Sequence, residues 1–394
     1  MPWDESCVMN ERLKMMLEWD DGALSVSELC RCYGISRRIA YKWRERYRES
    51  GAMGLSDRSR APLHHPQAMS ALVVDRLLSV RSRYPSWGPK KIRAYLAQAE
   101  PEARWPAGSS IGDLLRREGL SVPRRRRHRA PPRTAPFADC RDANAVWCID
   151  LKGWFRTGDG ARCEPLTLAD AHSRYLLRCQ ALARADGSHA WPVVAAAFRE
   201  FGLPQVIRSD NGPPFASVGV GGLSPFAVKL VKAGVVPERI DPGQPQQNGR
   251  LERLHQTLKQ ETASPPAASL RAQRRRFDAF RQTYNEERPH EALGQTSPAS
   301  HYRPAERTYR GRLRSPDYAD GWAVRRVRHS GEIKWQGHTL YISENLAGEP
   351  VGLAEQEDGV WIVWYGPVRL GSVDPTGRFK RPKPKRRRRK PVRG

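Results

Sequence analysis

Three acidic residues in the middle of the sequence stand where apolar stretches end. Asp150 falls in VWCIDL (146–151), Asp210 follows VIRS (206–209), and Glu252 lies in QQNGRLERLHQTLKQE (246–261), whose apolar spacing is helical. Carboxylates offer hard oxygen ligands to a divalent ion if folding brings them together. Taken singly they imply less: Glu252 reads as a solvated helix residue and each aspartate as a turn or cap residue. Other chemistry is poorly provided for. Cys30 and Cys32 form a lone C-x-C, and Cys140, Cys148, Cys163 and Cys179 are scattered, so neither a disulfide framework nor a structural zinc is indicated. No arginine–histidine cluster pairs with a nucleophilic tyrosine, which leaves a tyrosine recombinase unsupported.

The elements around these carboxylates suit a mixed α/β sheet. VWCIDL reads as a strand, CEPLTLADAHSRYLLRCQAL (163–182) as two strands joined by a DAHSR turn, and HAWPVVAAAFREFG (189–202) as a helix. VIRS is a short buried strand, SPFAVKLVKAG (224–234) a helix, and VVPERIDPG (235–243) another strand. Three strands, helix, strand, helix, strand, helix is not the order of a continuous parallel wind. In the DAHSR turn, Asp170 reads as a turn residue and not as a metal ligand.

Upstream, SVSELCRCYGISRRIAYKWRERYRE (25–49) has a helix-turn-helix layout. Ser25 or Ser27 caps a helix carrying Leu29 and Tyr33, Gly34 makes the turn, and Ser36 caps a second helix. Ile39, Trp43 and Tyr47 supply that helix's buried face, with Arg37, Arg38 and Tyr41 outward near its start, where a recognition helix meets base edges. A second such unit follows a proline-rich break. Leu72, Val73, Leu77 and Val80 mark one helix, WGPKKIRAYL (87–96) a second with Pro89 in its first turn, and SSIGDLLRREGL (109–120) a third starting at a serine cap. Lys90, Lys91, Arg116 and Arg117 are expected outward.

Charge identifies the class of partner. Among 394 residues the formal net charge is +26, a surplus suited to a phosphate-rich polymer, because each cation set against a phosphate releases condensed counterions. Six arginines crowd RRRRHRAPPR (124–133), where Arg124, Arg125, Arg126 and Arg127 form an unbroken run, and eleven Lys or Arg lie in residues 378–394. The first run reads as a proline-extended tether laid on DNA. The second reads as a basic tail that is disordered when free. With no apolar run of about 18 residues and no signal pattern, the expectation is a cytoplasmic, nucleoid-associated protein without membrane contact.

The words around the three acids are similar to those of a known family. W-x-x-D at 147–150, S-D-N-G-P-P-F at 209–215, P-G-Q-P-Q-Q-N-G-R-L-E-R-L-H-Q-T-L-K-Q-E at 242–261 and YNEERPHEALGQTSPASHY at 284–302 resemble the integrase core of bacterial insertion-sequence transposases. These belong to the retroviral-integrase-like superfamily, whose catalytic core is RNase H-like and uses an Asp, Asp, Glu triad. The resemblance, with the helix-turn-helix units ahead of it, runs from about residue 8 to 310 and carries the triad to Asp150, Asp210 and Glu252. It implies Mg²⁺ or Mn²⁺ held by those carboxylates, two ions set about 3.5–4 Å apart to clamp an in-line displacement at phosphorus. Asn211 and Gly212 would let backbone approach a DNA phosphate. Lys259, seven residues after Glu252, returns to the same helix face and would hold DNA there, while His255 suits a packing or supporting role.

One departure stands out. Between Asp210 and Glu252 lie 41 residues, more than the commonest family spacing, and the excess falls in the glycine-rich ASVGVGGLS (216–224). Glu261 would widen the gap further and is the poorer third carboxylate.

The expected organisation is a multidomain α/β protein: helix-turn-helix units at 1–60 and 61–122, a basic linker at 123–140, an RNase H-like core at 141–310, a small β-barrel at 320–375 and a disordered basic tail at 376–394. Its expected function is that of a transposase that binds the ends of a mobile element, cleaves the DNA and joins it elsewhere. At least two copies would act on double-stranded DNA. A hydrolytic nuclease and an inactive, transposase-derived regulator are the alternatives.

Overall fold

The computed structural model of the chain describes residues 7–59, 68–121, 140–217, 219–241, 247 and 249–382. It divides into two compact units, Met1–Ala68 and Met69–Gly394. The arginine run at 124–127 lies outside the described residues.

In the first unit, helices α1 (Val8–Asp21), α2 (Val26–Cys32) and α3 (Arg37–Ser50) enclose Met15, Met16, Leu29, Trp43 and Leu55. Ser25 caps α2 in a reciprocal box with Glu28, Gly34 takes φ 63° in the turn, and Ser36 caps α3. The buried stripe of α3 is Ala40 and Trp43 with Tyr47 packed partly against it. Ile39, expected inside, is exposed. Ile39 lies about 100° around the helix from Ala40, at the margin of the stripe, where it stays exposed.

The second unit opens with α4 (Ala71–Arg83), α5 (Pro89–Ala99) and α6 (Gly108–Arg117), packed around Leu77, Trp87, Ile92, Leu96, Ile111 and Leu115. Two details differ from expectation. Leu72 is exposed in the first turn of α4, and α6 starts at Gly108 after Ala107, with no side-chain cap.

The central sheet then forms from β1 (Val146–Leu151), β2 (Phe155–Arg156), β3 (Arg162–Asp170), β4 (Leu176–Leu182), β5 (Val206–Ser209) and β6 (Val236–Arg239). β3 pairs antiparallel with β1, β2 and β4, whereas β1, β5 and β6 run parallel. Helices α7 (Gly187–Phe201) and α8 (Pro225–Lys232) cover one face; α9 (Gly249–Thr262) and α10 (Leu270–Glu286) cover the other. This is the mixed α/β arrangement expected from the order of elements.

The C-terminal region is an open structure and not the expected barrel. Strands β7 (Ala323–Arg326), β10 (Pro350–Glu355), β11 (Trp361–Tyr365), β12 (Val368–Val373) and β13 (Phe379–Lys380) make one antiparallel sheet, and β8 (Glu332–Trp335) with β9 (His338–Tyr341) makes a separate hairpin. The sheet's edges, β7 and β13, are 4 and 2 residues long and do not pair. Closure would need longer, staggered strands; instead Ile333, Trp335 and Leu340 of the hairpin fill the core. β13 also corrects the start of the expected disordered tail: Phe379 pairs with Val373, and Asp374 binds the Lys380 ammonium. Residues 383–394 lie outside the described residues.

The glycine-rich excess acquires a structural role here. Its turn, Val220–Gly222, places Val220 and Leu223 in the same apolar cluster as Val228 and Val231 of α8 and Val351, Leu353 and Leu370 of the C-terminal sheet. Gly221 has φ 66°, and a Cβ there would stand 3.0 Å from Leu370 Cδ2. The longer spacing thus builds the seat of the C-terminal sheet.

Candidate active site

Strand alternation decides which way the two aspartates face. Val146 and Cys148 lie in the cluster under α9 and α10, while Trp147 and Ile149 lie under α7 and α8. By the two-residue period of a strand, Asp150 continues the α9 side. β5 repeats this pattern, with Val206 toward α9–α10 and Ile207 toward α7–α8. Cys148 pairs in register with Arg208. Asp150 and Asp210 are each two residues further on, so Asp150 near the end of β1 stands level with Asp210 immediately after β5, where neighbouring strands are usually about 4.8 Å apart.

Helix α9 lies across this edge. Leu251, Leu254 and Leu258 are buried, and Glu252 sits exposed in its first turn, with Lys259 exposed two turns on. His255 is buried between the helix and the sheet. Its Nε2 is 2.7 Å from Thr167 Oγ1, and its Nδ1 is 3.7 Å from Asp150 Oδ2. Thr167 is the residue opposite Asp150 on β3. Burial, aided by the Lys152 charge, lowers His255 to about 4, so the imidazole is neutral and its proximity to Asp150 is not an ion pair.

The electrostatics ties the three carboxylates together. Burial, then the charge of Asp210, raises Asp150 to about 7, and Glu252 pushes the same way. The Leu151 backbone hydrogen bond and Lys152 oppose the rise. Like charges beside a buried carboxyl are a poor arrangement alone and one that a divalent cation would relieve. Their oxygens are the ligands a hard cation prefers, so by residue type they suit such an ion. Among the described residues, however, no three His, Cys, Asp or Glu side chains are arranged to hold a metal as they stand.

The neighbours of the triad are also placed. Gly212 N–H donates to Asp210 Oδ1 at 3.1 Å, and a Cβ on Gly212 would come within 3.1 Å of the same carboxylate. Asn211 is exposed and donates through Nδ2 to the Ile240 carbonyl at 2.8 Å. Asp170 is buried and accepts from Asn144 N–H at 2.8 Å and from the Ser173 N–H and hydroxyl at 2.7 and 2.6 Å, which occupies it in the turn.

Of the expected DNA contacts, Arg37, Arg38, Tyr41 and Lys90 are exposed, although Arg37 is hydrogen-bonded to the Ser27 hydroxyl. Lys91 is half-buried instead of outward. Burial and the Arg288 charge lower it to about 8, while Glu261 and Glu291 draw it upward. Thr167 was not singled out by its sequence; its position opposite Asp150 becomes visible only once the strands are in register.

Known proteins share these parts. Residues 141–245 and 233–298 match integrase core domain families, 11–62 a helix-turn-helix domain, 39–115 a homeodomain-like domain, and 322–379 the C-terminal domain of IS481 family transposases. The insertion element IS407 uncharacterized 31.7 kDa protein of Burkholderia multivorans is 27% identical over 256 residues, covering 64% of this chain and 89% of that protein. The insertion element IS476 uncharacterized 39.2 kDa protein of Xanthomonas euvesicatoria is 26% identical over 296 residues, covering 73% and 75%. Among solved structures, the HTLV-2 integrase catalytic core domain in complex with magnesium is similar at 15% identity and TM-score 0.33, over 41% of this chain and 99% of that one. A simian T-cell lymphotropic virus intasome in complex with a PP2A regulatory subunit has 15% identity and TM-score 0.36, over 76% and 99%.

Helix-turn-helix domains ahead of an integrase core define a protein of the retroviral-integrase-like superfamily. Within it, the chain is an insertion-sequence transposase. Among the described residues no helix is long and apolar enough to cross a membrane.

Proposed function

We propose that this transposase binds the ends of its own element on double-stranded DNA and catalyses metal-dependent cleavage and strand transfer by in-line attack at phosphorus. The observation that carries the reading is the register of β1 and β5, which sets Asp150 level with Asp210, with Glu252 in the first turn of the helix whose His255 reaches toward Asp150. Asp150, Asp210 and Glu252 would hold Mg²⁺ or Mn²⁺, two ions in the full complex, which when bound supply charge neutralisation at the phosphate and an activated attacking oxygen.

The chain's own residues do the positioning. The Gly212 N–H fixes the Asp210 carboxylate, and Thr167 holds His255 and with it the first turns of α9. Lys259, exposed on the Glu252 side of the helix, is assigned to a DNA phosphate, with Asn211 and Gly212 beside the scissile one. Arg37, Arg38 and Tyr41 of the 1–60 unit and Lys90 of the 61–122 unit are assigned to the element end, and Arg124–Arg127 to phosphates between these units and the core. A 3′-hydroxyl freed by hydrolysis would attack target DNA at the same carboxylates, without a covalent protein intermediate. Two ends must meet, so at least a dimer acts.

The test uses DNA carrying the gene's flanks, the full chain and Mg²⁺ or Mn²⁺, with Asp150→Asn, Asp210→Asn and Glu252→Gln beside the wild type. Cleaved and joined products that require all three carboxylates support the proposal. Hydrolysis without joining would establish a nuclease, flank binding without cleavage a regulator, and cleavage surviving Glu252→Gln a wrong third ligand.

A further inference from the structure

Glu261 is too far along α9 to join the triad, yet it is not idle. The turn between α4 and α5 of the second helical unit rests on the far end of α9. Ser86 hydroxyl donates to Glu261 Oε1, and Arg288, just past α10, donates to the same oxygen at 2.6 Å. One residue pair over, the Tyr84 hydroxyl donates to Glu287 Oε2, which also accepts from Arg83 at 3.2 Å. Lys91, half-buried on α5, adds a cation near Glu261 and Glu291. The Thr262 carbonyl at the end of α9 is fixed separately by Gln273 at 3.0 Å and Arg276 at 3.2 Å. Between the turn and the two helices a cavity of about 390 Å³ remains, lined by Pro85, Trp87, Gln260, Phe280 and Thr283 among others, so the contact is made by a few polar bonds and not by a continuous apolar seam.

We infer that Ser86, Tyr84, Glu261 and Glu287 are positioning residues: through them the second helix-turn-helix unit sets the lie of α9, and so the placing of Glu252 over the two aspartates. Glu252 and Glu261 lie nine residues apart on one uninterrupted helix, about 13 Å along its axis. A helix moves as a rod, so a change in how that end is held is carried to the other. The catalytic part of this inference rests on the reading of Glu252 as the third carboxylate; the docking itself does not.

The test compares the full chain with Ser86→Ala, Tyr84→Phe and Glu287→Gln, each checked for a native circular dichroism spectrum, with Ser86→Thr as the conservative control. Amide exchange over α9 should quicken in the variants. Single-turnover cleavage of a flank should fall by about tenfold or more, as expected when a hydrogen bond to a charged group is withdrawn, at unchanged affinity for the flank. Ser86→Thr should restore both. Variants indistinguishable from wild type in exchange would overturn the docking. Quickened exchange with undiminished cleavage would overturn the positioning role, as would a cleavage loss matched by an equal loss of flank binding. If the wild type cleaves nothing, the exchange result still decides the docking, and the fault lies with the proposed function.

Discussion

The imidazole of His255 joins Glu252's helix to the strand that carries Asp150: its Nε2 is 2.7 Å from Thr167 Oγ1 and its Nδ1 is 3.7 Å from Asp150 Oδ2. The ring is neutral and buried, so it works as a fixed spacer between helix and sheet and not as an acid. Thr167→Val keeps the shape and removes the hydroxyl, leaving a buried ring nitrogen unpaired. The expected cost is about 1–3 kcal/mol in urea unfolding, with a fall in cleavage. Unchanged stability would mean that Thr167 is not the anchor.

The Asp150 carboxyl sets a pH dependence for the metal-free protein. Its value rises from 3.8 to about 7 on folding, so the native state holds more protons than the unfolded chain between those values. Its contribution to stability is therefore full below about pH 4 and is lost as pH rises through about 7. Asp150→Asn removes this dependence. The stability difference between wild type and variant should shift in the variant's favour by up to about 1.4 kcal/mol per pH unit across that window. A pH-independent difference would contradict the burial and crowding described for Asp150.

The glycine turn offers a test outside the active site. Gly221→Val places a β-branched side chain at φ 66° and against Leu370. The left-handed backbone alone costs about 1–2 kcal/mol for a non-glycine residue. A lowered melting temperature with earlier proteolysis of the C-terminal sheet is expected, while a wild-type profile would show that the turn is not its seat.

Arg38 and Tyr41 are exposed at the start of α3. If Arg38 meets a phosphate, Arg38→Ala should weaken binding to all sequences and reduce the slope of log affinity against log salt by about one. If Tyr41 meets a base edge, Tyr41→Ala should weaken binding to the element end more than to unrelated DNA. Binding titrations at several salt concentrations separate the two roles.

Much of this was legible in the residues because local pattern and global fold agree there. VWCIDL and VIRS alternate between two covered faces, so the direction of Asp150 and Asp210 follows from their place in the strand. Burial that depends on what docks from elsewhere was not legible. Ile39 and Leu72 are apolar and helical, yet both stay exposed. The C-terminal strands show the right alternation, but strand pattern does not reveal whether the edges meet, and β7 and β13 are too short to do so. Glu261 was in the sequence only the poorer third carboxylate, and its role depends on partners far away along the chain: Ser86, 175 residues off, and Arg288.

A 3′-hydroxyl of the element end is expected to attack target DNA at the Asp150, Asp210 and Glu252 carboxylates. The most direct measurement supplies an already cleaved end, with plasmid target and Mg²⁺ or Mn²⁺, and compares a 3′-hydroxyl end with a 3′-deoxy one. Joining of the hydroxyl end alone, lost in Glu252→Gln, is the expected result. Joining of the 3′-deoxy end, or none from either while hydrolysis proceeds, would contradict it.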